Sequence, residues 1–284
     1  MELICPICAQ TLNRSEREYI CPNRHSFDIA RQGYVNLLTV QQKKSLHPGD
    51  TREQVLSRRA FLDGNFYEPI ADALCRTALE LGAEGPILDV GCGEGYYCTR
   101  LASALNGELT GLDISKEAVR AAAGRYKGPL WLCASAAHIP VKDQSIGLLT
   151  SLFAFTAPEE FKRVLAEKGA FIQVLAAQDH LLGLKGIIYP ELKLKEKDSV
   201  PELPGFELVK SVPIRFSFTV EFYRADTRRI YAMKNSGCFH YITRAHVKSR
   251  DFHIFQRSRL CMRTIAKNKN GRSAPSVNIR LCYT

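Results

Sequence analysis

Two groups of residues in this chain have the types and spacing to do chemistry. The first is Gly91-Cys92-Gly93-Glu94-Gly95, which follows the apolar run Ile87-Leu88-Asp89-Val90 and precedes a helical pattern. Glycines at alternate positions between a strand and a helix let a ligand approach the backbone closely, and the helix start adds free N–H groups. The spacing is one residue tighter than the Gly-x-Gly-x-x-Gly of dinucleotide sites, which favours a smaller nucleoside ligand over a pyrophosphate. Asp113 ends the next strand-like run, roughly 20 residues on, where a carboxylate can accept from two adjacent ribose hydroxyls. The bland alternative is a tight turn and a solvated surface acid. The second group is Cys5-Pro6-Ile7-Cys8 with Cys21 and His25. Three thiolates and an imidazole are ligands that zinc prefers, and four protein ligands leave no open position, so such a site is structural. A segment this short cannot bury a sufficient core, and the metal would supply its folding energy. A redox Cys-x-x-Cys is the competing reading, but no βαβ pattern surrounds it. Cys75, Cys92, Cys98, Cys133, Cys238, Cys261 and Cys282 have no comparable spacing and read as thiols.

The elements that must position these groups alternate. After 87–90, the pattern predicts a strand ending at Asp113, a helix over 116–126 and a strand over 130–133. It continues with a strand over 146–153, a helix over 158–166, a strand over 170–176 and two strands within 206–222. Ahead of them, Phe66-Tyr67-Glu68-Pro69-Ile70 leads a helix with Ala71, Leu74, Ala78 and Leu79 on one face. The fold class expected is therefore α/β, a Rossmann-like sheet with a small N-terminal zinc-binding domain. The domains read as 1–38 (zinc), 39–65 (basic linker and helix), 66–258 (main domain) and 259–284 (a basic, mobile tail). Asp50 with Glu53 would cap the linker helix over 51–62. Lys43, Lys44, Arg52, Arg58 and Arg59 lie between the two candidate sites and would suit phosphates, a solvated helix face being the alternative.

The totals agree with this picture. The 284 residues carry a net charge of +10, which suits a polyanionic partner. Apolar runs are too short to span a bilayer, no signal peptide is evident, and ten cysteines without one read as reduced thiols or metal ligands, as expected in the cytoplasm.

The glycine loop with Asp113 resembles the class I S-adenosylmethionine-dependent methyltransferases. That resemblance implies that Gly91, Gly93 and Gly95 wrap the amino-acid half of the cofactor while Asp113 holds its ribose. The zinc knuckle, the run from Ser26 to Leu38, His47-Pro48-Gly49-Asp50-Thr51 and Arg58-Arg59-Ala60-Phe61-Leu62-Asp63 together resemble the bacterial 23S rRNA guanine-N1 methyltransferases over about residues 1–220. The family implies S-adenosylmethionine and one structural zinc. It further implies an RNA hairpin in a cleft between zinc domain and core, and a homodimer. Some members methylate one guanine of the hairpin; others methylate a nearby one and confer resistance to macrolides of the tylosin type. Tyr67, Glu94 and His180 fall at cofactor positions of the family. By their own chemistry Tyr67 is equally a core aromatic and His180 a capping or packing residue.

Departures from the pattern matter too. No acid stands near Ser135, where many class I enzymes bind the adenine amino group, and the Asn/Asp-Pro-Pro-aromatic motif of exocyclic-amine methyltransferases is absent. Guanine N1 carries a proton that must leave, so a positioned acceptor would help. Glu159, Glu160 and Asp179 are candidates, and none stands out. From Arg224 onward there are fourteen Lys and Arg against Asp226 and Asp251, with 251–258 a faint match to the family's final strand. Two other functions stay open: a zinc-dependent RNA-binding protein with an inactive fold, and a metabolite methyltransferase.

Overall fold

A computed structural model describes residues 1–43, 45–177, 180–181, 200–220, 230–233, 239–242 and 252–265. Lys44, Asp179 and residues 266–284 of the expected sites and tail therefore lie outside the described residues.

The zinc segment forms three short antiparallel strands, β1 (Asn13–Arg14), β2 (Glu18–Ile20) and β3 (Ser26–Asp28). β4 (Tyr34–Asn36) leaves that segment and enters the main sheet. Next come α1 (Arg52–Asp63), α2 (Glu68–Glu80), β5 (Ile87–Val90), α3 (Tyr96–Leu105), β6 (Leu109–Asp113), α4 (Lys116–Arg125) and β7 (Leu130–Cys133). β8 (Ile146–Leu152), α5 (Pro158–Val164), β9 (Leu165–Ala176), β10 (Phe206–Val220), β11 (Ile230–Met233), β12 (Phe239–Ile242) and β13 (Phe252–Ile265) complete the order. Among the described residues, β11 and β12 pair with each other alone.

The main sheet has eight strands in the order β10-β13-β9-β8-β5-β6-β7-β4. From β4 to β9 all neighbours are parallel, and β13 and β10 add antiparallel pairs. The α/β expectation holds. Buried apolar runs explain the parallel core: Ile87, Leu88 and Val90 are covered on both faces, as are Leu148 and Leu149. Chain order runs from β5 through β7 on one side and from β8 to β9 on the other, so the sheet reverses between β5 and β8. A ligand crevice belongs at the carboxyl ends of such strands.

Several sequence expectations are corrected. The zinc segment packs directly onto the main sheet. Leu3, Cys5, Leu12, Tyr19 and Cys21 share one buried cluster with Leu88, Leu112, Leu132 and Val141, and the Ile4 amide donates to Pro140 O at 3.1 Å. The helix after the linker is capped one residue later than Asp50. Thr51 accepts from the Gln54 amide at 3.4 Å, while the Gln54 side chain accepts from the Thr51 amide at 2.8 Å. Asp50 instead pairs with Arg58. Leu79 is exposed, and Thr77 takes the buried place on α2. The two strands expected in 206–222 are one long strand with an irregularity between Leu208 and Lys210; its Pro213 is tolerated because β10 is an edge strand. β13 runs to Ile265, past the boundary placed at 258, and Arg263 is buried with its Nη2 donating to Pro201 O at 2.7 Å. Among the described residues no helix is long and apolar enough to cross a membrane.

Candidate metal centre and cofactor site

The zinc ligands arrive on two tight loops. In the first, the Ala9 amide returns to Cys5 O at 2.8 Å, with Ala9 at a φ of 57°. In the second, the Arg24 amide donates to Cys21 O at 2.9 Å and Cys21 N to His25 O at 3.1 Å, with Arg24 at a φ of 64°. These loops bring Cys5, Cys8, Cys21 and His25 together, their ligand atoms all within 4.8 Å of one another. His25 Nδ1 stands 3.5 Å from Cys5 Sγ and 3.4 Å from Cys21 Sγ, and Cys8 Sγ is 3.6 Å from Cys21 Sγ. Four ligands bound tetrahedrally at about 2.3 Å for sulfur and about 2.0–2.1 Å for nitrogen stand about 3.5–3.8 Å apart. The constellation therefore fits zinc, and all four predicted ligands converge. Cys75, Cys92, Cys98 and Cys133 are free, the last three buried.

The second site forms where β5 turns into α3. Gly91, Gly93 and Gly95 have φ of 80°, 55° and 87°, the left-handed region that side chains disfavour. Their surroundings differ. A Cβ on Gly91 would lie 2.3 Å from the Cβ of Ala154, just after β8, and one on Gly95 would lie 2.6 Å from the Trp131 ring. A Cβ on Gly93 would meet nothing within 4 Å. The loop is thus wedged at both ends and open in the middle. Asp113 ends β6 beside that opening. Its Oδ2 accepts from the Gly93 amide at 2.9 Å and its Oδ1 from the Ser115 amide at 2.8 Å. Each oxygen keeps a lone pair for a ligand hydroxyl. Burial pushes the Asp113 pKa up, while the two backbone donors hold it down. The half-buried carboxylate and the open glycine backbone fit a ribose and an amino-acid moiety, as S-adenosylmethionine carries.

The linker closes one wall. Ser115 Oγ donates to Asp50 O at 2.6 Å, and a Cβ on Gly49 would come within 2.7 Å of the Ser115 Cβ. Asp89, at the heart of the sheet, accepts from Thr150 Oγ1 at 2.6 Å, and its burial raises its pKa to about 6.

The remaining sequence candidates fall in different places. Tyr67 and His180 are brought together, with the phenol oxygen 3.4 Å from Nε2 and both side chains buried. Their rings pack with Phe153, itself at a φ of 54° at the carboxyl end of β8. Glu94 does not face the opening: its carboxylate is buried and paired with Arg59 and Arg125. Glu160 is occupied as well, accepting from the Ile139 amide at 2.7 Å and pairing with Arg163 at 2.8 Å, whereas Glu159 is exposed. Of the linker cations, Arg58 and Arg59 are both ion-paired, while Lys43 and Arg52 are exposed. A groove of about 1490 Å³ does separate the zinc segment from α3. Its rim includes Glu2, Arg14, Glu108 and Lys127, and it opens at the amino ends of β6 and β7, opposite the glycine loop. Sequence reasoning missed Ser115 and Gly49, whose only signal was their nearness to Asp113 and the Pro-Gly turn.

Comparison with known proteins follows the same division. The family model described as RlmA, N-terminal, a zinc ribbon, matches residues 3–46, and a methyltransferase domain model matches residues 87–172. A 23S rRNA (guanine(748)-N(1))-methyltransferase of Streptomyces fradiae is 36% identical over 187 residues, covering 64% of this chain and 66% of that protein. A relative from Micromonospora griseorubida bearing the 23S rRNA (guanine-N(1)-)-methyltransferase name is 34% identical, covering 64% of this chain and 68% of its own length. One of the same name from Bacillus subtilis is 32% identical, covering 75% of this chain and 79% of its own. The chain thus spans about two thirds of the first two relatives and more of the third. With the zinc ligands converged, the glycine loop and Asp113 joined at the sheet's reversal, and relatives of this kind matched over most of its length, the chain belongs to the 23S rRNA (guanine-N1)-methyltransferase family.

Proposed function

We propose that the protein transfers a methyl group from S-adenosylmethionine to N1 of one guanine in a hairpin of 23S rRNA. The observation that carries this is the Asp113 carboxylate held by the Gly93 amide at the open centre of the glycine loop. The cofactor supplies an electrophilic methyl on sulfur. The protein's part is to hold that donor and to bring the base to it. Gly93 leaves space for the donor's amino-acid end, Asp113 accepts from its ribose, and the Tyr67–His180 pair walls the site from the side of β8. A guanine must leave its stack to reach the carboxyl edge of the sheet, which favours a hairpin loop as substrate. Glu160 is already doubly engaged, which leaves positioning of the base and donor to carry much of the rate. Among the described residues, exposed Lys43 and Arg52 are cations available to phosphates. Action on 23S rRNA would take place where ribosomes are, in the cytoplasm.

The test is transfer of labelled methyl from S-adenosylmethionine to a 23S rRNA transcript, with the modified base identified by nuclease digestion and mass spectrometry. N1-methylguanine at one position is expected. Asp113→Ala should weaken the cofactor by about 10–100-fold, the loss of a charged acceptor worth about 1.5–3 kcal/mol. Cofactor binding without transfer to RNA would support the inactive RNA-binding reading instead, and label on a small molecule the metabolite reading.

A further inference from the structure

The charged residue of the glycine loop is Glu94, whose side chain is only 1% exposed. A buried carboxylate flanked by two flexible glycines calls for an explanation, because an unpaired buried charge is costly. The structure supplies one. Glu94 Oε2 accepts from Arg59 Nε, and Glu94 Oε1 lies 3.3 Å from Arg125 Nη1. Arg125 Nη2 reaches Asp63 Oδ1 at 2.7 Å, and Arg59 Nη2 donates to the carbonyl of Ala121 at 3.3 Å. Two acids and two arginines thus form a charge-balanced chain. It ties α1, through Arg59 and Asp63, to α4, through Arg125 and Ala121, with the glycine loop between them.

We infer that Arg59 is a positioning residue for the cofactor loop, acting through Glu94, so that the helix after the zinc segment governs cofactor affinity. This rests on the reading of that loop as the S-adenosylmethionine site. The glycines on either side of Glu94 have φ of 55° and 87° and gain little rigidity from their own side-chain packing. The Glu94 carboxylate is the loop's one long anchor into the protein. Arg59 is fixed to α1, itself held against Ser115 by the Asp50 carbonyl at 2.6 Å, so α1 and the linker touch both halves of the site. Removing Arg59 leaves Glu94 with a longer contact to Arg125 alone, and the loop loses the guide that aims the Gly93 amide at Asp113. Arg59, which by sequence would suit phosphates or a solvated helix face, is instead engaged by Glu94.

The experiment titrates S-adenosylhomocysteine into the full-length, zinc-loaded protein, with hairpin RNA affinity and thermal midpoint measured alongside. Arg59→Ala is expected to weaken S-adenosylhomocysteine by at least about tenfold, since displacements of about 1 Å at a positioned site carry losses of that order or more. Glu94→Gln should give a comparable loss, Arg59→Ala should add little in the Glu94→Gln background, and Arg59→Lys should recover part of the affinity. RNA affinity should stay within about twofold of wild type, as should cofactor affinity in Glu53→Gln, a change on the exposed face of the same helix. If Arg59→Ala does not fold, Arg59→Lys and Glu94→Gln carry the same comparison in folded protein. Unchanged S-adenosylhomocysteine affinity in these folded variants overturns the inference, as does a loss confined to RNA binding. Wild-type protein that fails to bind S-adenosylhomocysteine overturns the cofactor reading itself, which a defect in the variants alone does not touch.

Discussion

The zinc segment and the glycine loop both hold a ligand on backbone in the left-handed region, yet they do it with different residues. In the zinc loops the positions with positive φ are Ala9 and Arg24; in the cofactor loop they are Gly91, Gly93 and Gly95. A side chain in that region costs about 1–2 kcal/mol, which the zinc loops can carry because metal binding outweighs it. The cofactor loop faces a steric demand as well as a conformational one. Ala154 and Trp131 press so close that no Cβ fits at Gly91 or Gly95. One site is made by the ion it binds; the other is made by packing before its ligand arrives.

The sharpest way to break this contrast is to remove the ion. Chelation, or Cys21→Ser, should unfold the zinc loops, since a structural zinc contributes on the order of 10 kcal/mol. Because Leu3, Cys5 and Leu12 share a core with Leu88 and Leu132, and β4 pairs with β7, the melt of the whole protein should shift down as well. Metal analysis and a circular dichroism melt read both. Zinc-free protein with an unchanged melt would show that packing, not the ion, makes this site too.

A second comparison sets glycine against glycine. Gly91→Ala combines a φ of 80° with a Cβ 2.3 Å from Ala154, and should destabilise by about 2–4 kcal/mol and abolish cofactor binding. Gly33→Ala, at a φ of 100° with nothing within 4 Å, should incur only the conformational part, about 1–2 kcal/mol, and spare the cofactor. Equal losses in urea unfolding would mean that the wedge against Ala154 yields.

The smallest effect concerns charge. Thiolates in the zinc segment are neutralised by their ion, whereas Asp89 sits buried with Thr150 as its hydrogen-bond donor. Burial raises its pKa from 3.8 to about 6, so the folded state binds this proton more tightly than the unfolded state does. The resulting cost is absent below pH 3.8, grows between there and about 6, and is complete above. Asp89→Asn should therefore stabilise the ligand-free protein at pH 7.5, by at most about 3 kcal/mol at about 1.4 kcal/mol per unit. The difference from wild type should fade toward pH 4. A difference constant across that range would remove the titration of Asp89 as its cause.

What the sequence determined by itself is local. Zinc ligands were legible because metal chemistry restricts both residue type and spacing, so Cys5, Cys8, Cys21 and His25 could be named from the chain alone. The strand–glycine–helix turn and Asp113 were legible for a similar reason: a βαβ unit brings two points of fixed separation to one edge of a sheet. The capping of α1 slipped by a residue because Asp50 and Thr51 are both able caps, and only the position of Arg58 decided between them. Tertiary structure alone decided the rest. Nothing in the spacing of Tyr34–Asn36 says that it leaves the zinc segment to pair with β7, since strand partners are chosen across the fold. Nor does a basic helix face reveal which arginine meets solvent and which meets Glu94, 35 positions away. Charge is a property of composition, but the partner of a charge is set by which elements pack together.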